Sequence, residues 1–206
     1  RFMSGTPATE AFKISIKGAS IIHEESKATR LIAGVNGLDD DSVVNAVKLS
    51  GFDVVYRSGL MGYKSVDEIN PDAPTIRNVR TMIERSLHFL DAYGPKVLDG
   101  FTFNGGYTCI VSAGDGDFTT SDTLWDFKVS RKPVSKESKR KLQNKHTLQL
   151  LMYWRMGLHS IHPEFKNIRY LGVYNPRLNI VSRIAVADIP SDIISQVEHE
   201  VIGYNA

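Results

Sequence analysis

Two aspartates and a lysine fall close together in the stretch Gly114-Asp115-Gly116-Asp117-Phe118-Thr119-Thr120-Ser121-Asp122-Thr123-Leu124-Trp125-Asp126-Phe127-Lys128. If Ser121-Asp122 closes a two-residue hairpin, pairing about its centre sets residue 120 opposite 123, 118 opposite 125, and Asp117 opposite Asp126. Directly opposed residues on one face of a sheet lie roughly 4.5–5.5 Å apart. Lys128, two residues beyond Asp126, emerges on the same face. Opposed carboxylates repel, and a fold seldom accepts them without a compensating charge. A divalent cation would supply it: oxygen ligands at this spacing suit Mg²⁺ or Mn²⁺, with waters and phosphate oxygens completing the shell. The matching chemistry is phosphodiester hydrolysis. The ion lowers the pKa of a bound water, and the lysine orients that water or offsets charge growing on the phosphate. A polar hairpin with a solvated Asp–Lys pair is the alternative, and a one-residue slip in register would undo the geometry.

A helical stretch follows, His146-Thr147-Leu148-Gln149-Leu150-Leu151-Met152-Tyr153. Gln149 and Tyr153, four apart, share a face, and His146 lies three residues before Gln149 on it. Leu148, Leu151 and Met152 are expected on the opposite side. Gln-x-x-x-Tyr taken alone is a packing pattern as readily as a catalytic one. Between the acidic stretch and this helix, Lys128 to Lys145 carries eight Lys/Arg against one acid, Glu137. Arg131, Lys132, Lys139, Arg140, Lys141 and Lys145, with His146, are candidate contacts to a nucleic-acid backbone, where clustered cations displace counterions. A solvated loop is the equal alternative.

Taken together, Gly-x-x-Asp (Gly114 to Asp117), Asp-x-Lys (Asp126 to Lys128) and helical Gln-x-x-x-Tyr (Gln149 to Tyr153) resemble the signature of the RecB-like branch of the PD-(D/E)XK nucleases. The resemblance covers residues 74–186. It implies an α/β fold with a restriction-endonuclease-like mixed-sheet core, α-β-β-β-α-β, flanked by helices. It also implies a Mg²⁺-dependent (or Mn²⁺-dependent) nuclease, exo- or endonucleolytic, with DNA as its partner, in recombination, repair, phage biology or defence. By the same resemblance Asp117 and Asp126 are metal ligands, Lys128 is the catalytic lysine, and the Phe127 carbonyl is a further ligand. Gln149 and Tyr153 brace the site or contact DNA. The first helix of the family often contributes an acid, and Glu84 is the candidate here, an i,i+4 contact with Arg80 being the other reading. His88, one turn on, is assigned to surface or packing. Two features depart from the pattern. The interval between the aspartates is short for the branch, and Asp115, opposite Lys128 in the proposed register, is a substitute ligand, an extra ligand or a partner for the lysine.

The elements that must position these groups can be read from periodicity. Residues 8–23 alternate in part and suggest a strand, with a helix as the alternative. A helix is predicted from Glu25 to about Val35. Asp39-Asp40-Asp41-Ser42 reads as the N-cap and first turn of another helix, closed by Gly51, rather than as a metal site. Phe52–Tyr56 is then predicted as a short strand and 58–73 as a linker. Ile76, Val79, Ile83, Leu87 and Leu90 predict an amphipathic helix from Pro74 to Gly94-Pro95. Strands are predicted at 97–103, 107–113 and 123–129, a helix at 145–158, strands at 168–174 and 180–186, and a last helix at 190–202. This order suggests an accessory α+β element at 1–72 and a nuclease core at 73–206.

Bulk properties set wider bounds. The chain has 206 residues, 42% apolar and 23% charged, with formal net charge +2, ordinary values for a globular protein with its own core. No apolar run reaches the length of a membrane span, and residues 1–7 lack the apolar core of a secretory signal. One cysteine, Cys109, excludes an internal disulfide and is expected in the core. Together these features suggest a cytoplasmic location. Two other functions compete with the nuclease: a nucleic-acid-binding module that keeps the fold without cutting, and an interaction role for residues 1–70. A homo-oligomer or a partner subunit is compatible with each. Reversing the charges of Arg140 and Lys141 is expected to weaken nucleic-acid binding most at low salt and to flatten the dependence of log K on log salt. An unchanged slope would mark the run as a solvated loop.

Overall fold

The computed structural model describes residues 6–129 and 144–204; the predicted contacts Arg131, Lys132, Lys139, Arg140 and Lys141 lie outside them. Two compact units divide the chain, Arg1–Ile83 and Glu84–Ala206, the division falling within a helix.

Among its described residues the first unit is helical. It contains α1 (Thr6–Ile21), α2 (Glu25–Ala33), α3 (Asp40–Ser58) and two single 3₁₀ turns, Leu60–Gly62 and Val66–Glu68. The alternation at residues 8–23 is therefore not that of a strand. A stripe of small residues explains the helix: Ser15 and Ala19, one turn apart, are buried, and the Ser15 hydroxyl donates to Asp53 at 2.8 Å. Nor does α3 stop at Gly51. Gly51 is buried inside the helix because a Cβ there would meet Ile69 Cδ1 at 2.9 Å and Val66 Cγ1 at 3.1 Å. Phe52–Tyr56 simply continues the helix, with Phe52, Leu49, Ala19, Ala28 and Val66 forming the core of this unit. Each large side chain so buried contributes about 1.5–3 kcal/mol. The acidic run behaves as a cap: Asp39 Oδ1 accepts the Ser42 N–H at 2.9 Å.

The second unit is α/β, a five-stranded mixed sheet flanked by helices. Its strands are β1 (Leu98–Thr102), β2 (Asp115–Thr119), β3 (Thr123–Phe127), β4 (Tyr170–Asn175) and β5 (Ile180–Ala185), paired in that order. Only β3 and β4 run parallel; the other pairs are antiparallel. A parallel pair needs a long crossover, and α5 (Asn144–His159) lies on it. The helix α4 (Ala73–Tyr93) enters this unit with its C-terminal turns.

The two faces of the sheet are covered by different helices. Trp125, Tyr174 and Phe118 pack under Phe89 of α4, whose ring stacks on Tyr174 at 4.2 Å and meets Trp125 edge-on at 4.8 Å. Leu124, Leu171 and Val173 face Leu150, Leu151, Trp154 and Met156 of α5. The chain closes with α6 (Ser191–Gln196) and a π-helical turn, Val197–Ile202, tied to α5 by an ion pair between Arg155 and Glu198 (2.6 Å). Of the residues expected opposite Gln149 and Tyr153, Leu148 is 40% exposed, Leu151 is buried and Met152 packs partly against the core.

The second predicted strand, 107–113, is a loop, and the strand lies at 115–119 instead. Side chains divert the backbone. The Tyr107 hydroxyl accepts the Phe103 N–H at 3.0 Å and donates to the Gly114 carbonyl at 2.8 Å. Thr108 Oγ1 accepts the N–H groups of Ile110 and Val111, both at 3.1 Å. Cys109 in this loop is exposed, not core.

Gly172 sits opposite Trp125 in the parallel pair, where a Cβ would meet the indole at 2.4 Å. Phe89 and Tyr93 box the indole, so it has nowhere to move. Gly172→Ala is expected to destabilise the protein by about 1–3 kcal/mol, read from the midpoint of urea unfolding at unchanged m-value.

Candidate active site

The hairpin register places the acids. Phe118 pairs with Trp125 and Thr119 with Leu124, and the Thr120 N–H donates to the Thr123 carbonyl at 2.9 Å. Trp125 Nε1 donates to Thr120 Oγ1 at 3.1 Å, which pins the turn from the α4 side. Because Phe118 and Trp125 face α4, strand alternation turns Asp117 and Asp126 toward the α5 side. Beyond Phe118 the backbone ladder gives way to a side chain: Asp117 Oδ2 accepts the Phe127 N–H at 2.7 Å.

Asp126 is 6% exposed, at the end of a strand with neighbours on both sides. Lys128 lies over it, Nζ being 3.0 Å from Oδ1 and 2.8 Å from Oδ2. Only the Oδ1 contact has hydrogen-bond geometry, so Oδ2 is buried without a hydrogen bond. The backbone fixes the lysine's root, since its N–H donates to the Tyr174 carbonyl at 3.0 Å. Burial raises the Asp126 pKa above the ordinary carboxylate value, the Lys128 ammonium opposes that rise, and the charge of Asp117 adds to it. The charge of Asp117 thus bears on Asp126, and the Lys128 ammonium offsets it.

The start of α5 completes the site. His146 is half-buried, and its pKa is held below the usual imidazole value by burial first, then by the charges of Lys128 and Lys145. Lys145 itself is exposed. One turn on, Gln149 Nε2 donates to the Tyr153 hydroxyl oxygen at 3.1 Å. The Tyr153 ring lies 4.7 Å from that of Phe103, and Gly114 backs onto both. The Gly-x-x-Asp segment and the Gln-x-x-x-Tyr helix therefore meet through Tyr153.

Other candidates stay apart. Glu84 is exposed on α4 and joins no acidic cluster, and Arg80 turns instead to Asp40 and the Leu38 carbonyl, so the Arg80–Glu84 contact does not form. His88 is exposed on the same helix. Asp115 is exposed, and the ion-pair partner of Lys128 is Asp126.

Among the described residues, no three His, Cys, Asp or Glu side chains gather to hold a metal. The candidate donors are two carboxylates on adjacent strands, with the carbonyl of Phe127 between Asp126 and Lys128 in the sequence. Such a set suits Mg²⁺, which commonly takes one or two carboxylates and keeps several waters. The buried Asp126 Oδ2, with no hydrogen bond, is the atom a hard cation would satisfy. No helix among the described residues is long and apolar enough to cross a membrane. Comparison of the chain with protein-family models, curated proteins and solved structures finds no match in any of the three.

Asp126→Asn is expected to raise the thermal midpoint of the metal-free protein at pH 7 by roughly 2–4 °C, the shift that ~1 kcal/mol produces at this chain length. Lys128, with 29% of its side chain exposed, can turn to water when its partner is gone. The sign of the pH dependence follows from linkage. An acid whose folded pKa is raised carries no penalty below its unfolded value; the penalty grows as pH rises from the unfolded value to the folded one and is full above it. The variant's advantage should vanish near about pH 4 and be complete at neutral pH. Calorimetry across that range checks both statements, and a variant melting below wild type at pH 7 would refute them.

Proposed function

We propose that Glu84–Ala206 is a divalent-metal-dependent nuclease of the restriction-endonuclease-like, RecB-like kind, hydrolysing DNA phosphodiester bonds. The observation that carries this reading is the buried Asp126 carboxylate, closed in by a second acid from the neighbouring strand and by Lys128. The element order, helix, three strands, helix, strand, agrees with it. The choice of DNA over RNA comes from the sequence resemblance.

Asp117 and Asp126 would hold the ion, with the Phe127 carbonyl beside them. When bound, the ion would polarise a phosphate oxygen and make a coordinated water acidic. The chain's own residues supply the rest. Lys128 brings a positive charge to where charge accumulates on the phosphate. Lys145 and His146, at the start of α5, present cationic or hydrogen-bonding groups to a neighbouring phosphate. Gln149 and Tyr153 hold each other and keep α5 in register with the Gly114–Asp117 segment.

A nucleic-acid-binding module that does not cut is the second reading. The observation in its favour is that, among the described residues, no group of three His, Cys, Asp or Glu side chains forms. Incubation with linear and circular, single- and double-stranded DNA, with Mg²⁺, Mn²⁺ or EDTA, separates the two. Wild type is expected to cut only with metal, and Lys128→Ala to lose at least ~100-fold in rate with its circular dichroism unchanged. DNA binding without cutting under every condition would select the binding module. Equal rates in wild type and Lys128→Ala would remove the lysine from the chemistry.

A further inference from the structure

We propose that the Lys128 ammonium is a built-in counter-cation that competes with the divalent ion for Asp126, so that loading the site releases the lysine toward the substrate phosphate. The proposal rests on the nuclease reading and specifies how that site is regulated. Its basis is geometric. Nζ straddles the carboxylate, 3.0 Å from one oxygen and 2.8 Å from the other, and so covers both atoms that an ion would use. The carboxylate has almost no access to water, so a second cation can approach only by displacing the first.

The partner acid is partly engaged as well, its Oδ2 being held by the Phe127 N–H at 2.7 Å. The lysine, in contrast, has somewhere to go. Its backbone is fixed to Tyr174, but 29% of its side chain is exposed, and its four-carbon stem lets the ammonium swing while the strand stays in place. Two cations on one buried carboxylate repel each other, so a bound ion favours the state in which the ammonium has swung away. Paired in this way, Asp126 is neutralised and the lysine is withheld from phosphate. The charge that offsets Asp126 thus becomes available to the substrate once an ion takes its place.

The experiment uses the full chain and Mn²⁺ alone as the probe. Isothermal titration of wild type and Lys128→Met is expected to show Mn²⁺ binding at least ~10-fold tighter in the variant, because a competing cation has been removed. Without metal, Lys128→Met should melt below wild type, since it leaves a buried carboxylate uncompensated, and Mn²⁺ should restore it. Equal or weaker Mn²⁺ binding in the variant overturns the proposal. Should Lys128→Met fail to fold, acylation of wild-type lysines by an amine-reactive ester, read by mass spectrometry, decides the matter. Labelling of Lys128 is expected to accelerate when Mn²⁺ is added, and unchanged or slower labelling overturns the competition. If wild type binds Mn²⁺ and cuts DNA but either result is negative, only the counter-cation role falls. If neither protein binds Mn²⁺ and wild type does not cut, the nuclease reading falls with it.

Discussion

The parallel pairing of β3 with β4 is the constraint on which the candidate site depends. Two strands can run side by side in the same direction only if the chain between them returns to its starting edge, and here that return carries α5 across one face of the sheet. The face it covers bears Leu124, Leu171 and Val173, and by alternation it also receives Asp117, Asp126 and Lys128. One topological choice therefore sets Gln149, Tyr153 and His146 on the same side as the acids. The other face is closed by the aromatic cluster of Phe89, Trp125 and Tyr174, which fixes the strand from behind.

A buried carboxylate is an electrostatic liability in an otherwise well-packed sheet. Its pKa is raised by burial and by Asp117, and among the described residues the ammonium two residues further along opposes that rise. A hydrophobic residue at position 126 would remove the problem, as buried ion pairs are often replaceable without loss of stability. Keeping an acid there makes sense if its charge serves something outside the fold. The nuclease proposal identifies that purpose as a hard cation, and the counter-cation proposal explains how the chain tolerates the charge before the cation arrives.

Local pattern and tertiary context disagreed where small residues or side-chain hydrogen bonds decide the backbone. In the first unit, Gly51 suggested a helix end and is instead a point of close approach to Val66 and Ile69, so α3 runs on through the predicted strand. Ser15 and Ala19 carry no hydrophobic signal of their own, yet they form the contact that makes 8–23 helical. Around residue 110 an apolar run looks like a strand, but the hydroxyls of Tyr107 and Thr108 satisfy its backbone groups within the loop. Glu84 is exposed on its helix and joins no group of three possible ligands among the described residues; one acid on an amphipathic helix gives no information about what its exposed face meets.

What the sequence determined alone was the part governed by short separations. The hairpin register about Ser121-Asp122, the shared face of Asp126 and Lys128, the N-cap at Asp39, and the i,i+4 pair of Gln149 and Tyr153 follow from repeats of two and of 3.6 residues. The tertiary structure alone decided that β3 and β4 are parallel, that the ion-pair partner of Lys128 is Asp126 rather than Asp115, and that Tyr153 meets Phe103 and Gly114. These depend on contacts between residues far apart in the chain. Their cost in loop-closure entropy is repaid by burial over whole faces of the sheet, and no local pattern records it.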